Sequence, residues 1–188
     1  YDQGLRKTYL LYGVTGSGKT EVYMEMIAKV LEEGRQAIVL IPEIALTYQT
    51  VMRFYTRFGD RVSILNSRMS QGERYDQMER VKRGEVDIMI GPRSALFTPF
   101  SDLGLIVIDE EHEPTYKSEQ VPRFHARETA IERARMEHAC VVLGSATPSL
   151  EAFYACESGK YELLRLKNRS MKQSQKRYRL KRYIHMKN

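Results

Sequence analysis

With 188 residues, 42% of them hydrophobic, the chain can build one domain around its own core and needs neither disulfides nor a membrane to fold. Its longest apolar runs, Ala37 to Ile41 and Leu105 to Ile108, fall far short of the roughly 18 residues of a membrane span, and no signal peptide is visible. The expectation is a cytoplasmic protein with no membrane partner. The net charge of +6 is no argument for nucleic acid, because ten of the 30 lysines and arginines follow Leu164 and no acid accompanies them, leaving a slightly acidic body of 20 bases against 24 acids.

In chain order, Thr8 to Tyr12 reads as a strand and Gly13 to Thr20 as a glycine-rich turn. Val22, Tyr23, Met26, Ile27, Val30 and Leu31 then recur at helical spacing up to Gly34. Ala37 to Ile41 predicts a strand before a helix near Ala45 to Phe58, and Val62 to Leu65 a strand before a helix that Ser70 opens. Ser70-Gln71-Gly72-Glu73 fits a capping box, with Gly84 closing that helix. Ile88 to Ile90 and Leu105 to Ile108 are buried strands, followed by a helix over Ala126 to Met136, a strand at Val141 to Leu143, a helix after Pro148 and a last strand near Tyr161 to Leu166. Such alternation implies an α/β domain over residues 1–166, its strands mostly parallel and its helices on both faces.

Two stretches break the pattern. Glu111 to Arg123 is polar, carries Pro114 and Pro122, and is long for a loop in a compact domain, which marks it as a functional suspect. Residues 167–188 form a basic tail without an apolar face, expected to be disordered. Cys140 and Cys156, 16 apart and with no histidine pair nearby, predict packed thiols and no zinc.

Gly13-Val14-Thr15-Gly16-Ser17-Gly18-Lys19-Thr20 satisfies G-x-x-x-x-G-K-[ST] between a strand and a helix. Glycines there let backbone N–H groups curl around phosphates at a helix N-terminus, Lys19 reaches the β/γ-phosphates and Thr20 ligates Mg²⁺. ATP and Mg²⁺ are therefore the expected cofactors. A dinucleotide is disfavoured, because Glu21 stands where its third glycine belongs. Ninety residues after Lys19, the strand Leu105 to Ile108 ends in Asp109 and Glu110. In a parallel sheet both acids share the P-loop's edge, where Asp109 can hold Mg²⁺ and Glu110 can orient and deprotonate water, making Lys19, Asp109 and Glu110 the candidate catalytic set.

Asp109-Glu110-Glu111-His112 resembles the second motif of superfamily 2 helicases. Pro42-Glu43-Ile44-Ala45-Leu46-Thr47 with Gln49 is similar to motif Ia, Gly91-Pro92-Arg93-Ser94-Ala95-Leu96-Phe97 to the next DNA-facing segment, and Gly144-Ser145-Ala146-Thr147-Pro148 to motif III. Together with Gly-Val-Thr-Gly-Ser-Gly-Lys-Thr-Glu-Val-Tyr, these motifs resemble the primosomal replication-restart helicases over about Tyr9 to Arg169.

That resemblance implies a three-layer RecA-like P-loop domain, the first lobe of an ATP-driven helicase that binds single-stranded or forked DNA and works with primosome proteins. It implies that Pro42, Thr47, Arg93 and Ser94 touch the DNA backbone, and that His112, Ser145 and Thr147 couple phosphate state to lobe movement. It further likens Tyr116-Lys117 through Phe124-His125-Ala126-Arg127 to the family's aromatic-rich DNA loop, adding Tyr116, Lys117, Phe124 and Arg127 as candidate contacts; Tyr116 and Phe124 can equally pin the loop to the core. Pro92 departs from the family's usual threonine, no glutamine motif for adenine is visible, and neither a second lobe nor the family's zinc-binding cysteines occur in these residues. The expectation is thus an incomplete motor, weakly active or inactive alone. The alternatives are a lobe of a competence-type DNA translocase and a truncated nucleic-acid-binding module that does not hydrolyse ATP.

Overall fold

The computed structural model describes residues 7–166, so the expected basic tail at 167–188 lies outside the described residues. Seven strands form one sheet: β1 (Thr8–Gly13), β2 (Gln36–Leu40), β3 (Val62–Ile64), β4 (Ile88–Gly91), β5 (Leu103–Ile108), β6 (Cys140–Ser145) and β7 (Tyr161–Leu166). Their order is β3-β4-β2-β5-β6-β1-β7, and every pairing is parallel. All residues of β2, β4, β5 and β6 are buried, which is why these strands read as continuous apolar runs.

Parallel neighbours require crossovers, and five helices supply them: α1 (Lys19–Glu32), α2 (Tyr48–Phe58), α3 (Gln71–Lys82), α4 (Ala126–Met136) and α5 (Leu150–Glu157). Tyr23, Met24, Ile27, Val30 and Leu31 of α1 pack with Phe54 of α2 on one set of strand side chains. Val81 of α3, Ala126, Ala130 and Ala134 of α4 and Ala152 of α5 join the other set. Two cores flank the sheet, giving the three layers of a RecA-like domain. None of the described helices is long and apolar enough to cross a membrane.

The predicted elements recur with small shifts whose causes are local. The helix expected from Ala45 starts at Tyr48, because Pro42 leads into a 3₁₀ turn at Glu43–Ala45 and the Thr47 side chain then caps α2 by accepting from the Thr50 N–H. Ser70 and Glu73 form the full capping box of α3. Arg93–Phe97, without a predicted element, is a 3₁₀ helix. The long loop is not featureless either: Pro114–Tyr116 turns once, and Lys117 pairs with His125 in an antiparallel bridge. Since all strands run the same way, Gly13, Pro42, Pro92, Asp109 and Ala146 leave the sheet at one edge, and the chemistry gathers there.

Candidate active site

β1 ends at Gly13, where a Cβ would come within 2.5 Å of Ser17 Oγ and 2.9 Å of Leu166 Cβ, so the loop can turn this tightly only on glycine. Gly16 and Gly18 take the left-handed φ values +78° and +92°. Gly18 is the N-cap of α1 and no side chain caps that end, so the first-turn N–H groups and the positive pole of α1 meet the cleft uncovered. Lys19 is buried and its Nζ donates back to the Gly13 carbonyl at 2.8 Å. Ser17 Oγ is buried without a hydrogen-bond partner.

The P-loop forms one wall of a cleft of about 330 Å³, and Asp109 and Glu110 line it from β5. Glu21 and Arg53, an ion pair between α1 and α2, stand at the same cleft. Asp109 is held on three sides: its N–H donates to the Leu40 carbonyl at 2.9 Å, its carbonyl accepts from the Tyr116 hydroxyl at 2.7 Å, and Oδ1 accepts from the Tyr23 hydroxyl at 2.9 Å. Burial raises the pKa of the Asp109 carboxyl, against the Tyr23 hydrogen bond and the Lys19 charge. Glu110 is also raised, by burial first and then by the neighbouring Asp109 charge. Its backbone sits at φ +48°, a left-handed conformation costly for glutamate.

An uncapped helix end and a lysine facing two carboxylates form a donor set suited to a nucleoside triphosphate and a hard cation. Among the described residues no group of three or more His, Cys, Asp or Glu is arranged to hold a metal ion. Thr20 and Asp109, both at this cleft, are the oxygen donors that could hold a divalent ion there.

The three expected coupling residues meet. His112 Nδ1 lies 2.8 Å from Ser145 Oγ, His112 Nε2 3.4 Å from Thr147 Oγ1, and the Thr147 N–H donates to Ser145 Oγ at 3.0 Å. Beside them is a residue that the sequence did not single out. Glu111 is 2% exposed and accepts from the Ser149 N–H at 2.7 Å, the Ser149 hydroxyl at 3.0 Å and Arg127 at 3.2 Å. Its partners lie 38 and 16 residues away, and no local spacing announces them.

The expected DNA-facing residues divide. The loops after β4, β2 and β5 are neighbours, since those strands are adjacent in the sheet. Thr47 and Lys117 are exposed there, and Ser94 and Phe124 are half-buried. Pro42 is buried at the end of β2. Tyr116, expected as a stacking platform, is only 1% exposed with its hydroxyl engaged by Asp109, so it pins the loop to the core and offers no face to a base. Arg127 is no phosphate contact either: it is 9% exposed and ion-paired with Glu111, because a guanidinium buried this far needs a carboxylate beside it. Arg93 donates to the Thr115 and Lys117 carbonyls at 2.7 and 3.1 Å, tying the loop to the 3₁₀ helix, while Phe97 meets Phe124 edge-on at 5.2 Å.

Residues 3–154 match the DEAD/DEAH box helicase family. The chain is 55% identical over 169 residues to the replication restart protein PriA of Bacillus subtilis (strain 168), covering 89% of this chain and 21% of that protein. It is 50% identical to PriA of Chlamydia pneumoniae, over 87% of this chain and 22% of the relative, and 48% identical to PriA of Haemophilus influenzae, over 86% and 22%. The chain thus spans about a fifth of the length of these relatives. Among solved structures it resembles the Pyrococcus furiosus Hef helicase domain, with a TM-score of 0.61 at 18% identity, covering 88% of this chain and 36% of that one. RecG bound to a three-way DNA junction gives 0.60 at 23% identity, covering 86% and 21%. At such identities these two likenesses concern the fold alone.

Proposed function

The chain belongs to the DEAD/DEAH box helicase family, and from that premise, with PriA replication restart proteins as its curated relatives, we propose that it is the ATP-binding lobe of a DNA motor acting in replication restart. One observation carries the reading: the uncapped N-terminus of α1, with Lys19 folded beside it, faces Asp109 and Glu110 across one cleft. Lys19 leaves the Gly13 carbonyl to meet the β/γ-phosphates, and the N–H groups of the P-loop take the remaining phosphate oxygens. Thr20 and Asp109 would hold Mg²⁺, which when bound would supply positive charge to offset that of the phosphates. Glu110 orients the attacking water and accepts its proton, a task suited to a carboxylate whose pKa is raised. His112, Ser145 and Thr147, in mutual contact beside Glu110, relay the state of the phosphate to the end of β6.

The nucleic-acid side of the proposal rests on Thr47, Ser94, Lys117 and Phe124, which the fold leaves wholly or partly accessible on neighbouring loops. Single-stranded or forked DNA is the proposed ligand, and primosome proteins are proposed partners of the whole motor. The facing lobe, from which such motors bring arginines to the γ-phosphate, is not among these residues; an arginine finger contributes about 10³ to 10⁵ in rate in related P-loop enzymes. The 188-residue chain should accordingly bind ATP yet hydrolyse it feebly and not unwind DNA. Steady-state hydrolysis with and without single-stranded DNA, blanked with Glu110→Gln, tests this. DNA-stimulated turnover on the order of 1 s⁻¹ or faster, abolished in the variant, would mean that one lobe suffices.

A further inference from the structure

Tyr23 lies one helical turn beyond Lys19 on α1, where apolar spacing alone assigns it to the core. It is 1% exposed, but its ring does more than fill space, since its hydroxyl donates to Asp109 Oδ1 at 2.9 Å. Room for that reach comes from β6. A Cβ on Gly144 would stand 1.5 Å from the Tyr23 hydroxyl oxygen and 2.7 Å from Cζ, so the glycine that opens Gly144-Ser145-Ala146-Thr147 is the gap through which the phenol meets the carboxylate. The main chain of Asp109 is already fixed by Leu40 on one side and the Tyr116 hydroxyl on the other. What remains is the rotation of its carboxylate, which Tyr23 restrains together with the Glu110 backbone N–H.

We propose that Tyr23 is a positioning residue for the metal-binding carboxylate: its hydroxyl sets Asp109 in the orientation that a divalent cation meets when it enters with the nucleotide. Outer partners that orient a ligand in this way raise metal affinity without touching the ion. The inference rests on reading the cleft as an ATP and Mg²⁺ site.

The test is titration of the purified 188-residue chain with a fluorescent ADP analogue, over a range of Mg²⁺ concentrations and in EDTA. Tyr23→Phe keeps the ring and removes the hydroxyl. It should raise the half-saturating Mg²⁺ concentration roughly tenfold to a hundredfold, the scale of one hydrogen bond to a charged group, and leave the affinity in EDTA unchanged. A packing role alone would move stability and leave the Mg²⁺ dependence where it was. Should Tyr23→Phe also lower the melting temperature, the double mutant separates the two effects. With Asp109→Ala already present, Tyr23→Phe should shift the Mg²⁺ dependence by less than about twofold, because the group it positions is gone. An unchanged Mg²⁺ dependence in Tyr23→Phe, or an equal shift with and without Asp109, overturns the inference. Absence of any Mg²⁺ effect on nucleotide binding by the wild-type chain overturns the nucleotide-site reading and the inference together.

Discussion

The two walls of the cleft are built on opposite principles. On the P-loop wall, polar groups are left waiting: α1 begins without a side-chain cap and Lys19 rests on a carbonyl of its own loop. On the acid wall nearly every polar side chain is engaged, with Asp109 held by Tyr23, Glu111 by Ser149 and Arg127, and His112 by Ser145 and Thr147. A wall that must close around a ligand keeps its donors free, whereas a wall that must present two carboxylates in fixed places ties them down. Damage should therefore read out differently, as lost binding on the first wall and lost stability on the second.

Glu111→Ala should give the largest effect. It strands the Arg127 guanidinium, 9% exposed, and removes the acceptor for Ser149, so we expect a loss of about 3–5 kcal/mol in urea denaturation. A cost under about 1 kcal/mol would mean that the acid wall is not a closed network. Lys19→Ala should do the reverse. Losing its charge from the phosphate site should weaken binding of a fluorescent ATP analogue by roughly tenfold to a hundredfold, while the melting transition barely moves. Binding that survives intact would break the comparison at its other end.

The same contrast explains what could be read in advance. The P-loop is written in eight consecutive residues, because strand end, glycine turn and helix start are all local, and the pairing of Lys19 with Asp109 follows from placing both at strand ends of one parallel sheet. Local chemistry also gave the capping box at Ser70 and the C-terminal glycine at Gly84. The acid wall was legible only as far as its motif. That Tyr116 and Arg127 face inward depends on partners across the fold, and a tyrosine or arginine in a polar loop carries no local mark of burial. Glu111 is hidden by position: it stands between Glu110 and His112 at the head of a polar loop, with no local mark of burial, although it is the most deeply buried acid in the described residues.

A smaller effect should follow from Arg93→Ala. Arg93 holds the loop by two carbonyls, Thr115 and Lys117, and its removal should cost about 1 kcal/mol, felt locally more than globally. Limited trypsin digestion reads this directly, since Lys117 and Arg123 are exposed cleavage points within the held segment. Faster cutting there with an unchanged global melt is expected. Equal cutting in the variant and wild type would show that the bridge between Lys117 and His125 closes the loop without the clasp.

The smallest effect belongs to His125 and depends on pH. Its Nδ1 accepts from the Arg127 N–H at 3.2 Å and so caps α4, a role open only to the neutral ring. Burial first and the Arg127 charge next lower its pKa below the ordinary 6.5, while Glu128 and Glu111 pull the other way and Lys117 adds to the lowering. A depressed histidine means that between its folded value and 6.5 the unfolded chain binds the proton and the folded chain does not. The contribution of this group is therefore intact above pH 6.5 and declines as the pH falls through the folded value, where the cap itself is lost. His125→Asn keeps a side-chain acceptor at the N-cap and removes the titration. Denaturant melts at pH 7.5 and pH 5 should show that the variant loses less stability between them than the wild type, by about 0.5–1 kcal/mol. If both chains lose the same amount, the acid sensitivity of this wall lies in its carboxylates and the cap of α4 plays no part in it.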